Sequence, residues 1–363
     1  MQNGRGKKMN NIFSINNEKF HKTINFLGLK FKIISKKALL KEFKKLNYFM
    51  TRMQIPTLYL ADLTKEEKEW YLSKIFYEET GYFPDLKNPK SFNEKINWMK
   101  LNYYNPIEKN IIDKYEFKNY IKEKLGEGYT IPLIGIYDGI NEIDFTKLPN
   151  SFVIKITNQG SAQGVKIIKD KTKINIDKLK YELSDLMQNW NSIYWYCFSR
   201  GYKDIKPRIL IEEYMPIREG KALEYKMFCF HGEVKFCLIE CDYFGKSPKR
   251  AFYDKNFNEM PFKIGKMPKV RLKNKPENYD LMVKIAEKLS ESFPFVRVDF
   301  YDIKGKVYAG EMTFTSGGGF SKIYPVEWDF KMGEWLNIKD INQQHINQTE
   351  ENSNEQSRIS YKP

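Results

Sequence analysis

Hydrophobic positions fall into three regimes along the chain. The first is helical. From Phe20 to Leu46 apolar residues recur about every fourth position (Phe20, Ile24, Leu27, Phe31, Ile34, Ala38, then Leu39, Leu40, Phe43 and Leu46), with lysines between them. This stripe predicts a basic amphipathic helix, weakened at Gly28. Thr64 with Glu67, and Ser91 with Glu94, are capping boxes opening helices over Asp62–Thr80 and Ser91–Leu101. Asp113 caps a third helix to Leu125, with Gly126 just beyond its end and Lys114 in its first turn.

From Tyr129 the pattern changes to period two. Strands are expected at Ile131–Tyr137, Phe152–Ile156, Val165–Lys169 and Ile209–Met215, and as a hairpin, Tyr225–Phe230 and Glu233–Cys241, around His231-Gly232. Helices are expected at Lys178–Trp195 and at Asn278–Phe293, the latter with Leu281, Ile285 and Leu289 inward. Residues from Asn337 onward are polar, without periodicity, and read as a disordered tail.

The candidate chemistry concentrates in FPFVRVDFYDIKGKVYAGEMTFTSGGG, residues 293–319. Alternation places Arg297, Asp299 and Tyr301 on one face of a first strand, and Ala309, Glu311 and Thr313 on one face of a second. Whether those faces coincide depends on the turn. A two-residue turn at Lys304-Gly305 puts Asp299 and Glu311 on opposite sides. A three-residue turn, Ile303-Lys304-Gly305, puts them together, with Arg297 facing Glu311 and Asp299 facing Ala309. The second register is the one expected here. It makes the carboxylates diagonal neighbours about 7–8 Å apart, able to grip a divalent cation. Arg297 beside them suits a carboxylate or phosphate. The plain alternative is a solvated hairpin with an Arg–Glu cross-strand pair.

A second cluster is the loop Thr157–Gly164 between two strands, with Lys155 on the face opposite Phe152, Ile154 and Ile156. Backbone N–H groups of such a loop can hold phosphate oxygens. The spacing is neither that of a P-loop nor that of a dinucleotide fingerprint.

Composition narrows the class. At 363 residues, with no apolar run approaching ~18 residues, the chain reads as soluble and large enough for two or three lobes. No signal-peptide pattern opens it. Cys197, Cys229, Cys237 and Cys241 form no CxxC pair, and His21, His231 and His345 are too scattered for zinc. The thiols read as buried and reduced in a cytosolic protein. Net charge is +15, but residues 1–53 carry thirteen Lys and Arg against Glu18 and Glu42, while the remainder is nearly balanced. The folded body is therefore not expected to bind nucleic acid. The basic N-terminus suits an anionic membrane or a partner protein.

Taken in order, GYFPDLKNPKSFNEKINWMK, Asp113-Lys114, FVIKITNQGSAQG, ILIEEYM, EYKMFCFHGEVKF, MVKIAEKLSESF and the 293–319 hairpin resemble the ATP-grasp superfamily, and within it the TupA-like family linked to cell-surface polysaccharide synthesis. The resemblance covers about Gly81 to Leu336. It implies an α+β fold with nucleotide held between two α+β lobes of antiparallel sheet, preceded by a helical N-terminal segment. The implied segments are 1–53, a helical part at 54–128, a small ATP-binding lobe at 129–215, a large lobe at 216–336 and the tail 337–363. Lys114 and Lys155 would contact ATP phosphates, and the loop containing Gly160, Ser161 and Gly164 would close over them. Glu212, Glu213, Tyr214 and Met215 would line the adenine and ribose. Asp299 and Glu311 would hold magnesium, with Thr313 where many relatives have Asn. Arg297 would steady the substrate carboxylate. Lys226 stands in Glu224-Tyr225-Lys226, where the family's usual motif is DYK, and Ser316 replaces a familiar proline. Arg250 and Arg271 could meet an anionic sugar or simply be solvated.

The implied activity is an ATP-dependent carboxylate–amine ligase joining a sugar carboxylate or glycan to a small amine, with ATP and Mg2+. It would be cytoplasmic, with peripheral contact to an anionic membrane or glycan-assembly proteins. The rivals are a glycosyltransferase, a sugar kinase and a non-enzymatic scaffold.

Overall fold

The chain divides after Thr64 into two units of very different size. The computed structural model describes residues 64–160, 164–188, 197–215, 224–241, 247–339 and 341, with strand backbone at 13–18, 21–26 and 29–33.

In the first unit Phe13–Glu18 (β1), His21–Phe26 (β2) and Leu29–Ile33 (β3) form an antiparallel sheet. The amphipathic helix expected from Phe20 is therefore corrected to strands over 21–26 and 29–33. The stripe was ambiguous, because Ile24, Phe26, Leu29, Phe31 and Ile33 also alternate with polar residues. The pairing sets Ile24 against both Ile15 and Phe31, and β-branched and aromatic residues favour that environment. The remainder of the stripe, 34–46, lies outside the described residues.

The second unit opens with four helices: Lys65–Thr80 (α1), Phe92–Asn102 (α2), Ile107–Ile112 (α3) and Lys114–Leu125 (α4). Ser91 and Glu94 form the capping box at α2. At α4 the Asp113 carboxylate accepts from the N–H groups of Tyr115 and Glu116. Leu133–Tyr137 (β4), Phe152–Ile156 (β5), Val165–Ile168 (β6) and Ile209–Glu213 (β7) make an antiparallel sheet ordered β4-β7-β5-β6. Ile176–Gln188 (α5) buries Leu179 and Leu183 against its Phe152, Ile154 and Ile156.

The larger sheet runs β10-β9-β8-β12-β13. Its strands are Glu224–Phe230 (β8), Glu233–Cys241 (β9), Lys249–Tyr253 (β10), Phe295–Ile303 (β12) and Lys306–Thr313 (β13). Lys263–Ile264 (β11) and Ile323–Tyr324 (β14) pair separately. One face of the large sheet, carrying Met227, Cys229, Val296, Val298 and Phe300, packs on Tyr279–Ser290 (α6). The other face carries Phe228, Phe230, Phe236 and Phe295, under α2 and Glu327–Trp335 (α7).

Three sequence expectations are corrected here. Leu281 is 42% exposed, and the stripe buried by α6 is Met282, Ile285, Ala286 and Leu289. The tail does not become disordered at Asn337. Ile338 and Ile341 pack on the aromatic face, and the Asn337 N–H donates to His231 Nε2 at 3.0 Å. The third correction concerns the β12–β13 register. The loop has two residues, not three: Ile303 pairs with Lys306, and Lys304 (φ 54°) and Gly305 (φ 79°) make the turn.

A two-residue turn alone would send Glu311 to the α6 face. Phe300 does pair with Ala309, but Asp299 pairs with Glu311, so Gly310 is an extra residue in β13. This β-bulge inverts the alternation. Val307 and Ala309 face α6 before it, and Met312 and Phe314 face α6 after it. Glu311 and Thr313 are thereby returned to the face of Asp299 and Arg297. Glycine fits there because a Cβ on residue 310 would lie 2.6 Å from Tyr301 Cε2.

Gly310→Ala is therefore expected to lower stability by about 1–3 kcal/mol, the usual cost of forcing atoms into a packed site. Urea unfolding measures this as a lower midpoint with unchanged slope. An unchanged midpoint would show that the bulge tolerates a side chain.

Candidate active site

On the face re-aimed by the bulge, Asp299 is 1% exposed and is held by two cations. Arg297 grips it with a fork, Nε to Oδ1 at 2.6 Å and Nη2 to Oδ2 at 2.7 Å. Lys226, across the ladder on β8, reaches Oδ2 at 2.9 Å. The network extends outward. Lys226 also meets Glu224 at 2.9 Å and Glu240 at 3.6 Å, and Arg250 closes on Glu240 Oε1 with Nε at 3.0 Å and Nη2 at 2.7 Å. The Tyr301 hydroxyl donates to Glu224 at 3.3 Å.

Burial sets the electrostatics of this cluster. It opposes ionisation of Asp299, yet Arg297 and then Lys226 outweigh it and hold the carboxyl below its ordinary range. Burial would also lower Lys226, but Asp299 and its fellow acids keep that ammonium above its ordinary value. Glu224 is raised, chiefly by burial, against the pull of Lys226. Glu311 is half-buried, and its Oε1 accepts from the Thr313 hydroxyl at 3.0 Å. It is the carboxylate of the pair that is not enclosed by cations in the way Asp299 is.

The smaller sheet contributes the opposing charges. Lys155 and Lys118 both bind Glu212, to Oε2 and Oε1 at 2.5 Å each. Lys118 also donates to the Ile131 carbonyl at 2.6 Å. Lys114, the first residue of α4, donates its ammonium to the Gln159 carbonyl, and its N–H bonds the Thr157 carbonyl at 3.0 Å. It is thus tied to the Gly-containing loop at both ends. Burial lowers its pKa, an effect offset first by Glu311. Lys114 on α4 thus feels the charge of Glu311 on the large sheet.

Every sequence-nominated residue within the described region can be placed. Lys114, Lys155 and Glu212 form one charged group; Arg297, Asp299, Glu311, Thr313 and Lys226 form the other. Gly160 is half-buried and Gly164 buried, while Ser161 lies outside the described residues. Glu212 turns its carboxylate to the lysines rather than outward, and Glu213 is exposed. Tyr214 lies beneath Lys169, whose Nζ is 5.8 Å from the ring centroid. Met215 packs with Ile131, Ile303 and Tyr308. The expected pairing of Arg297 with Glu311 and Asp299 with Ala309 is corrected: Arg297 pairs with Thr313, and Asp299 with Glu311. Arg250 belongs to the buried network rather than to a solvated surface, whereas Arg271 is exposed, 3.6 Å from Glu259. Lys118 and Tyr202 were missed. Lys118 sits one helical turn after Lys114 on the same face of α4, which was the available signal. Tyr202, pushed up by burial and by Glu311, gave none.

The sequence model of the TupA-like ATP-grasp family matches residues 94–337. The chain belongs to the TupA-like ATP-grasp family. No curated protein matches it. Among solved structures, D-alanine–D-alanine ligase from Helicobacter pylori is similar at 20% identity and TM-score 0.35, over 62% of this chain and 60% of that one. N5-carboxyaminoimidazole synthetase from Staphylococcus aureus, complexed with ADP, aligns at 12% identity and TM-score 0.34, over 61% and 50%. Biotin carboxylase from Campylobacter jejuni aligns at 12% and 0.35, over 62% and 47%. The chain thus spans about half to three-fifths of the length of these structures.

The donor set of this ATP-grasp chain fits magnesium. That ion takes oxygen ligands and commonly uses one or two carboxylates plus phosphates, and Asp299 and Glu311 stand directly opposite on one face. Among the described residues no group of three or more His, Cys, Asp or Glu could hold a metal. An ion here would complete its shell from phosphate oxygens and water. The four cysteines are free thiols; three are buried and Cys241 is half-buried.

Glu212 gives a pH test. Burial pushes its pKa up, but Lys155 and then Lys118 together hold it below the ordinary range. A depressed carboxyl contributes stability above its unfolded pKa and loses it as pH falls through the folded value. Glu212→Gln is expected to destabilise at neutral pH by about 1–3 kcal/mol. The gap to wild type should narrow as pH falls from about 5 to 3. Urea melts across that range measure it, and a constant gap would contradict the assignment.

Proposed function

We propose that the chain is an ATP-dependent carboxylate–amine ligase. The observation that carries the reading is the pairing of Asp299 with Glu311 on one sheet face, with the Arg297 fork on Asp299 and Lys114 attracted by Glu311. Lys114 and Lys155 would bind the ATP phosphates. Phosphate oxygens would give Lys114 the negative partner that its burial calls for, and would let Lys155 exchange its contact with Glu212. Asp299 and Glu311 would hold the metal, and bound magnesium would supply neutralisation of phosphate charge. Ile131, Tyr308 and Met215 offer an apolar wall for the adenine beside the end of β7.

Arg297 has a second partner besides Asp299: its Nη1 donates to Ser316 Oγ at 3.3 Å. A substrate carboxylate bound there would be oriented for attack on the terminal phosphoryl group, giving an acyl phosphate and ADP. An amine would then displace phosphate and form the amide. The Gly160–Gly164 loop, anchored by Lys114, would exclude water from the acyl phosphate. The acid is a sugar carboxylate, such as a uronic acid of a surface glycan, and the amine a small amino compound. This assignment is supported by the family's link to surface polysaccharides. A sugar kinase would use the same phosphate-binding groups and need no amine. The intact Lys155, Asp299 and Glu311 weigh against a scaffold.

Asp299→Asn should lower kcat by about 100-fold or more, since it removes charge stabilisation of the transferred phosphoryl group. Arg297→Lys should also be harmful, because lysine lacks the planar fork. ADP release measured over a panel of uronic acids and amines, followed by mass spectrometry, should show an amide that requires both substrates. A stable sugar phosphate formed without amine would establish the kinase instead.

The basic N-terminal unit supports a peripheral position at the inner face of the plasma membrane. No helix among the described residues is long and apolar enough to cross a membrane. Each basic residue near an anionic surface contributes about 1 kcal/mol, screened by salt. Removing residues 1–47 should leave nucleotide binding intact and sharply reduce sedimentation with anionic vesicles at low salt. Equal sedimentation of the truncated chain would end this proposal.

A further inference from the structure

Beside the acid-binding groups lies a cavity of about 490 Å³ that contains none of the nominated nucleotide or metal residues. Six cations line it: Lys65 and Lys68 from α1, Lys100 from α2, Lys109 from α3, and Arg200 and Lys203 from the segment preceding β7. Asp204 is the single acid among its lining residues. Four separate stretches of chain thus send cations to one concave place. A solvated charged surface spreads such groups apart.

The crowding is costly. Burial, then Arg200 and Lys203, lower the pKa of Lys68. Lys100 is 4% exposed, donates to Asn97 Oδ1 at 3.0 Å and to the Gly318 carbonyl, and is lowered by burial to about 8. Glu108, next to Lys109, is raised by burial to about 8 and so offers little countercharge at neutral pH. An anion in the cavity would relieve the penalties on Lys68 and Lys100.

The cavity also touches the reaction centre through one short loop. Lys100 holds the Gly318 carbonyl, Ser199 Oγ lies 2.5 Å from Thr315 Oγ1, and Ser316 accepts from Arg297. A group seated among the six cations is therefore adjacent to the loop that flanks the carboxylate fork.

We propose that this cavity binds a multiply charged anionic portion of the acid substrate, either phosphates of its carrier or clustered carboxylates of the glycan itself. One sugar carboxylate needs only Arg297; six further cations match a group carrying several negative charges. The volume admits a group of about the size of a sugar diphosphate. The inference rests on the ligase reading of the neighbouring site and adds to it: the acid is presented on a polyanion rather than as a free monosaccharide.

The test is isothermal titration of the full chain at about 0.15 M salt, where the Debye length is about 8 Å. The nucleotide site is first saturated with magnesium and the non-hydrolysable ATP analogue AMP-PCP. Inorganic pyrophosphate and trigalacturonate are then titrated separately. Wild type should bind at least one probe, and Lys68→Gln/Lys109→Gln should weaken that binding by about tenfold or more. AMP-PCP affinity should stay unchanged in the variant, which also reports that it is folded. The charge-keeping Lys68→Arg/Lys109→Arg variant should retain probe binding. Pyrophosphate binding alone assigns the charge to a phosphate-bearing carrier, and trigalacturonate binding alone assigns it to glycan carboxylates. Failure of wild type to bind either probe, or equal binding by the Gln variant, overturns the proposal. Failure to bind AMP-PCP would instead strike at the ligase reading.

Discussion

The fork of Arg297 on Asp299, completed by Lys226, is the interaction around which the site is arranged. A carboxylate 1% exposed would be costly to ionise alone. Two cations, each within hydrogen-bond distance, keep it charged; Lys226 is in turn balanced by Glu224 and Glu240, and Arg250 closes on Glu240. Removing one member of such a network leaves others buried without compensation, which costs more than the pair itself contributes. The polar network sits on the same sheet face as Phe228, Phe230 and Phe295, so close aromatic packing at one end of the strands fixes the geometry of charges at the other.

The two sheets divide the work by charge. The large sheet supplies acids held by an internal set of cations. The small sheet and α4 supply Lys114, Lys118 and Lys155, with Glu212 as the only acid in that group to which both Lys118 and Lys155 are bonded. Lys114 connects the halves, since its ammonium holds the loop at Gln159 while Glu311 attracts it. This arrangement suits a substrate that brings its own negative charge. The basic cavity behind the Thr315–Gly318 loop extends the same logic from nucleotide to acid substrate.

Much of this was legible in the sequence. The Ser91–Glu94 capping box, the Asp113 cap, the alternation on β5 and the placing of Asp299 and Glu311 on one face follow from local rules that the tertiary structure respects. The β12–β13 register was not legible. Parity arguments assume an unbroken ladder, and Gly310 breaks it. The conclusion that both carboxylates share a face was correct, but a three-residue turn was the wrong mechanism for it. A glycine inside the strand, one residue before a nominated carboxylate, is the signal that could have been read. The N-terminal stripe failed for a different reason: Ile24 and Phe31 fit the helical stripe, but Ile24 with Phe26, and Leu29, Phe31 and Ile33, also fit a period of two, and strand pairing decided between them. Lys118 and the six-cation cavity depend on contacts between distant segments, which no local pattern carries.

The central claim is that the site activates a carboxylate with ATP, and trapping with hydroxylamine tests it most directly. The protein is incubated with ATP, magnesium and a uronic-acid-bearing glycan, without the natural amine and with hydroxylamine in its place. The account predicts a glycan hydroxamate formed in step with ADP and lost in Asp299→Asn. ADP formation with a phosphorylated sugar and no hydroxamate would contradict it.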